Sequence, residues 1–364
     1  MNPKTPYLLP FLCCFFLLYS CNGNGQTEDL SANQKQQAIG TTVAEIDTCI
    51  FIIHQDQHLN YWFGGDGEGV FKFNGDSIVQ YTTKDGLCGD RVREIKEDKA
   101  GNIYINTLNG VSKYDGHTFE TLPFRENEDG WELKPNDMWF KGVPGSNGPC
   151  RYDGEVLHQL EFPKHYLADD FFRRHPNVSY SPYEVYTIYT DMSGDVWFGT
   201  SNFGLCRFDG EKLSWMYEKH LTDIADASFG IRSIIEDYNG LFWICNTNYR
   251  FDMLDSDSIA DQTHFMQYNR LEGVGYLKEN QETEFPYFMS ATLDAEGDLW
   301  MATYNDGVYR YDYQELYHYP LMDGDQIITL FSIYKDREDN LWLGSHNAGA
   351  LKFNGTNFEQ FELQ

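Results

Sequence analysis

Seven segments of the chain share one pattern, and this repetition constrains the fold more than any other feature. Each runs through an apolar stretch, an acidic turn, an aromatic strand, a Gly/Asn-rich loop and a basic–aromatic–Asp/Asn triplet. HLNYWFGGDGEGVFKFNG opens the series, SGDVWFGTSNFGLCRFDG stands in its middle and EDNLWLGSHNAGALKFNG closes it. One aromatic register falls at Trp62, Tyr104, Trp139, Trp197, Trp243, Trp300 and Trp342, taking six of the eight tryptophans. A basic register follows at Lys72, Lys113, Arg151, Arg207, Arg250, Arg310 and Lys352. Successive register aromatics are about 47 residues apart, the length of four short strands with their turns.

Each unit reads as strands a to d: in the fourth, YEVYTIYTD, VWFGT, LCRFD and KLSWMY. Alternation of period two runs through them, as a half-buried pleat requires. The acids of the a–b turns, Asp98, Asp191, Asp237, Asp294 and Asp336, cap those turns. Each turn offers one or two carboxylates, too few for calcium, so no metal is expected. A lone sheet of this kind cannot bury its own face, so the units must stack around an axis. The expected fold is all-β: a seven-bladed β-propeller of four-stranded antiparallel blades over 41–364. The register tryptophan should fill the wedge against a neighbouring blade. Residues 41–47 are left open as an extra strand for the last blade.

The N-terminus reads as an envelope-targeting segment. Lys4 precedes an apolar run from Leu8 to Tyr19, too short for a permanent membrane helix. Leu18-Tyr19-Ser20-Cys21 resembles a bacterial lipobox, so residues 1–20 are expected to be a lipoprotein signal peptide and Cys21 the lipidated residue. The polar stretch that follows makes 21–40 a flexible tether. The net charge of −29 argues against nucleic acid and anionic lipid surfaces as partners, leaving the lipid as the only membrane contact. Beyond Cys21 five cysteines remain, at 49, 88, 150, 206 and 245, without metal-knuckle spacing. Cys150 and Cys206 occupy matching repeat positions and read as buried thiols; Cys49 and Cys88 are the pair to consider for a bridge.

The pattern Asp-x-x-Gly-Asn/Asp-x-Trp-x-Gly-Thr followed by Gly-Leu/Val-x-Arg-Tyr-Asp-Gly resembles the two-component regulator propeller repeat. The resemblance spans about residues 49–364 and is densest in 183–217 and 288–355. It departs in the second repeat, which uses Tyr104, in the third, whose strand a is shortened to Trp131–Lys134, and in the fifth, which lacks the loop glycine. That family builds periplasmic sensor halves of hybrid two-component systems. The resemblance implies a recognition module, here expected to be a monomeric envelope lipoprotein without cofactor or intrinsic signalling output.

Antiparallel topology puts the b–c loops and d–a connections on one rim, with the insertions 83–90, 161–182, 218–229 and 269–287. Binding residues concentrate on such loops, so the site is expected there, at the mouth of the central channel. Candidate ligand-binding residues are Phe171, Phe172, Arg173, Arg174, His175 and Tyr180 from the second insertion, Tyr287 from the last, and Asp306 and His346 from b–c loops. Aromatics beside Arg forks suit an acidic sugar or peptide. The expected function is non-catalytic recognition of a glycan or peptide. A protein-docking scaffold is the alternative. A propeller enzyme resembling streptogramin lyases is a third reading, weakened by scattered histidines and the lack of a nucleophile–base motif.

Overall fold

A computed structural model of the chain describes residues 39–126, 130–224, 227–260, 263–274 and 287–363. The segment expected to be a signal peptide, Cys21 and nearly all of the expected tether lie outside the described residues. The architecture is all-β, and the alternating segments become strands where the pattern placed them. The fourth repeat supplies Val185–Thr190, Val196–Thr200, Leu205–Phe208 and Leu213–Met216, each antiparallel to the next. Four-stranded meanders of the same order start at Val92–Glu97, Phe288–Leu293 and Leu330–Lys335.

Four repeats depart from the expected four antiparallel strands. The N-terminal strand Thr41–Val43 pairs with Ile78–Tyr81, so it widens the first sheet to five strands and adds nothing to the last. In the fourth and fifth repeats, Ser214 pairs with His264 and Trp215 with Phe265 in parallel, fusing the two sheets into one of eight strands. The fusion depends on a long hairpin, Tyr249–Ala260 and Thr263–Glu272, so the first residues of the expected insertion 269–287 are strand.

The third repeat lacks its inner strand. The spacing from Tyr104 to Trp139 is the shortest of the series. Trp131–Lys134 forms no strand, and Trp131 instead stacks on Trp139 at 5.9 Å. Met138–Phe140 is therefore a sheet edge, while Phe124–Glu126 joins the opposite edge in parallel. An unpaired strand edge leaves backbone groups without partners. Side chains of the second repeat supply them. Lys96 Nζ donates to the Trp139 carbonyl, Asn106 Nδ2 to the Lys141 carbonyl at 3.0 Å, and Arg93 Nη1 to the Gly142 carbonyl at 2.6 Å. The Glu94 carboxylate accepts the Lys141 N–H at 2.6 Å.

Packing between sheets explains both sequence registers. Trp197 meets Phe242 of the next repeat at 4.6 Å, Trp139 meets Phe198 at 5.4 Å, and Trp62 meets Tyr114 at 5.5 Å. The basic residue lies over the same ring: Arg207 over Trp197 at 5.8 Å, Arg310 over Trp300 at 5.6 Å, Lys352 over Trp342 at 5.2 Å. The turn acid six residues earlier accepts the indole N–H, with Asp191 on Trp197 and Asp294 on Trp300 both at 2.7 Å. Asp56, Asp237 and Asp336 repeat this, and Asp98 takes the Tyr104 hydroxyl instead. These carboxylates also accept N–H groups of their own turns, so their lone pairs are occupied as the capping reading expects. Cys49 and Cys88 are both free, with the Cys88 thiol 3.3 Å from the Thr107 hydroxyl. Cys150 and Cys206 are buried.

Burial pushes Asp56, Asp98 and Asp336 upward, but the hydrogen bonds prevail and hold all three below the usual carboxylate range. A depressed folded-state pKa gives stability that is complete above the unfolded value and lost as pH falls through the folded one. The melting temperature is therefore expected to hold down to about pH 4 and to fall steadily below it. A flat profile to pH 2 would show that these turns carry no net stabilisation.

Candidate functional site

The approach to strand a carries one four-residue pattern in six repeats, Ile50-Phe51-Ile52-Ile53, Val92-Arg93-Glu94-Ile95, Val185-Tyr186-Thr187-Ile188, Ile231-Arg232-Ser233-Ile234, Phe288-Met289-Ser290-Ala291 and Leu330-Phe331-Ser332-Ile333, although in the fifth the strand itself begins only at Ile234. The first residue of each is buried and pins the strand. In five of them the pairing then slips by one, between Ile50 and Ile52, Val92 and Glu94, Val185 and Thr187, Phe288 and Ser290, and Leu330 and Ser332. A bulge frees one residue from the ladder and re-aims its side chain. Phe51, Arg93, Tyr186 and Phe331 are such residues, and they line a cavity of about 540 Å³ together with Arg232, the matching residue of the fifth repeat.

Arg91, Lys141, Asp66 and Ser332 also line it. Every lining residue stands at, or within two residues of, the start of a strand a or the end of a strand b. The cavity therefore opens on the face of the d–a and b–c connections, where the long insertions are. Its walls combine three aromatic rings with four cations and one carboxylate. Arg91 pairs with Asp66 at 2.7 Å and Arg93 with Glu184 at 3.2 Å. Arg232 lies over the Tyr186 ring at 4.6 Å and donates from Nε to the Phe229 carbonyl. Lys141 Nζ donates to the Arg93 carbonyl at 3.3 Å. Among the described residues no carboxylate lies within 4.0 Å of the Lys141 ammonium or the Arg232 guanidinium. Burial, with Arg93, Lys96 and Arg232 close by, pushes the Lys141 amine down to about 8 against the pull of Glu94. Burial pushes Glu94 up, but Lys96, Lys141 and their hydrogen bonds keep it below its ordinary value.

The residues expected from the loops are distributed around this face. His346 is exposed, stacks on Phe51 with ring centroids 6.2 Å apart, and has its Nδ1 3.5 Å from the Cys49 thiol. Tyr287 packs on Phe229 at 5.8 Å, one residue pair away from Arg232. Asp306 is tied into its own loop, accepting the Tyr309 hydroxyl at 2.5 Å. The insertion 161–182 includes a short helix, Ala168–Arg174, whose Ala168 and Phe171 join the core shared by the third and fourth repeats. Phe171 is buried against Phe203, and His175 tilts against Phe171, while Phe172 and Tyr180 are exposed. Arg173 and Arg174 are exposed and both pair with Asp170. Tyr276 lies outside the described residues.

Reasoning from the sequence missed Arg91, Arg93, Lys141, Tyr186 and Arg232. The signal was present as the second position of each apolar-x-x-apolar start, which reads Phe, Arg, Tyr, Arg, Met, Phe through the six repeats. Exposed Arg173 and Arg174 provide a clean test of the loop. Replacing both with alanine should leave the melting temperature unchanged, since exposed ion pairs contribute little. A loss of ligand affinity then assigns the helix to the site, and unchanged affinity confines the site to the cavity.

Comparison with known proteins places this geometry in context. The chain is 42% identical over 40 residues to the histidine kinase P4 of Formosa agariphila, a stretch that is 11% of this chain and 3% of that protein. The extracellular domain of a hybrid two component system protein from B. thetaiotaomicron superposes with TM-score 0.56 at 20% identity, over 85% of this chain and 39% of that one. Virginiamycin B lyase from Staphylococcus aureus superposes with TM-score 0.57 at 15% identity, over 86% of this chain and 97% of that one. The chain thus spans a small part of the kinase and under half of the sensor domain, and these likenesses establish a propeller-like fold. Residues 179–202, which hold strand a and strand b of the fourth repeat, match the two component regulator propeller family.

Proposed function

We propose that the chain is a non-catalytic sensory propeller of seven blades, anchored at the cell envelope by a lipid on Cys21, that recognises a glycan or peptide at the mouth of the cavity. The observation that carries this reading is the convergence of one repeat position on one cavity. Phe51, Arg93, Tyr186, Arg232 and Phe331 come from five different repeats and are brought together only by the ring. Seven repeats and the packing of the first on the last support a closed ring. Gln55 N–H donates to the Tyr334 hydroxyl at 2.9 Å and Gly349 N–H to the Thr48 carbonyl at 2.7 Å. Aromatic faces beside guanidinium groups suit sugar rings and peptide side chains.

The test is a thermal-shift screen of the full chain against neutral and acidic oligosaccharides and peptides. Ligand at about 100 times its Kd should stabilise by about 2.7 kcal/mol. A shift that Tyr186→Ala abolishes, with the ligand recovered unchanged, supports recognition at the cavity. A ligand recovered chemically altered would replace this reading with an enzymatic one. A silent panel, with an envelope protein captured by the wild type and lost on Tyr186→Ala, would favour a docking scaffold.

A further inference from the structure

We propose that the cavity selects for an oxyanion, holding the carboxylate or sulfate of a small ligand between Lys141 and Arg232 with Tyr186 beside it. This deepens the recognition reading and rests on it. The chain has 56 acidic residues against 27 Lys and Arg, yet this cavity is lined by four cations and a single carboxylate. Two of the four have a carboxylate partner. Arg91 is neutralised by Asp66, and Arg93 is held by Glu184 and by the open backbone edge of the third repeat. Lys141 and Arg232 are held only by backbone carbonyls, of Arg93 and Phe229, and by the Tyr186 ring, so their charges are not neutralised by an ion pair. They come from different repeats, line the same cavity and have no carboxylate within 4.0 Å among the described residues. Like charges brought together at a partly dehydrated wall repel, and an anion between them relieves that repulsion. Ser332 also lines the cavity, and its Oγ is buried without a hydrogen-bond partner.

Protonation gives a second handle. Lys141 faces Glu94 on one side and Arg93, Lys96 and Arg232 on the other, and its amine sits near 8. Anion binding favours the charged amine, so affinity should fall as pH rises through 8.

The experiment is isothermal titration of the full chain with sodium glucuronate, sodium sulfate and glucose at low ionic strength, where surface screening is weakest. Glucuronate, sulfate or both should bind, and glucose should not; which anion binds identifies carboxylate or sulfate as the recognised group. Lys141→Met with Arg232→Gln should weaken binding at least about tenfold, the loss of two charge-assisted contacts. Asp66→Asn removes the one lining carboxylate and releases Arg91, so it should tighten binding about threefold, a gain that misfolding cannot mimic. Glucose binding as well as glucuronate, or the double variant retaining full affinity, would overturn anion selection while leaving the recognition reading intact. Neither anion binding at tens of millimolar would also overturn it, and the recognition reading would then stand or fall on the oligosaccharide and peptide screen.

Discussion

Replacing Trp197 with alanine is expected to destabilise the fold by about 3–5 kcal/mol, the range for a fully buried aromatic. Three losses combine at this residue. The indole is completely buried and packs against Phe242 of the next repeat, so its removal opens a cavity between two sheets. Arg207 loses the ring beneath its guanidinium. Asp191 loses the indole N–H, although its bonds to Ser193 and Asp195 N–H groups remain and hold the turn. Chemical denaturation of the variant measures the cost. A value below about 1 kcal/mol would mean that the sheets close over the gap, and the register would not be the wedge between repeats. Trp197→Phe should recover much of the packing but not the bond to Asp191, which separates the two contributions.

Asp336→Ala should cost a similar amount, about 3–5 kcal/mol, for a different reason. Its buried carboxylate accepts the Trp342 indole at 2.9 Å, the Asn340 amide at 2.9 Å and the N–H groups of Glu338 and Asn340. It also accepts the Tyr61 hydroxyl at 2.6 Å, and Tyr61 belongs to the first repeat. Alanine would strand several buried donors at once, and unmade buried hydrogen bonds cost more than made ones contribute. Asp191→Ala is the control, because its hydrogen bonds stay within one repeat. Asp336→Ala should exceed it by about 1.5–3 kcal/mol, the worth of a hydrogen bond to a charged group. A double-mutant cycle with Tyr61→Phe isolates that term. Zero coupling would show that the join between first and last repeats does not depend on this bond.

The repeats, their strands and their turn acids could all be read from the chain, because each is a local device with a fixed period. An Asp that caps a turn and an aromatic six residues later are held at that spacing by the hairpin itself, so Asp191 and Trp197 are found together in sequence and in space. The third repeat was partly legible too: the short segment Trp131–Lys134 pointed to a reduced strand a, although the strand proved to be absent rather than short. The polar side chains that replace it could not be foreseen. Arg93, Glu94 and Asn106 look like ordinary half-exposed strand residues until a backbone edge from the next repeat is laid against them.

The same distinction separates the expected site from the observed cavity. The face was deducible, because antiparallel order alone assigns loops to rims. Phe171 and Arg173 were attractive as an aromatic beside a cation, but proximity in sequence does not say which side of a helix faces the core, and Phe171 turned inward. Arg93, Lys141 and Arg232 are far apart in sequence, from about 50 to 140 residues, and no local rule joins residues at such separations. By itself the sequence determined what each repeat becomes, since strand period, turn chemistry and the tryptophan register act within some fifty residues. Only the tertiary structure decided what the repeats do together, because bulges aim single side chains at one cavity and that cavity exists only once the sheets have packed together.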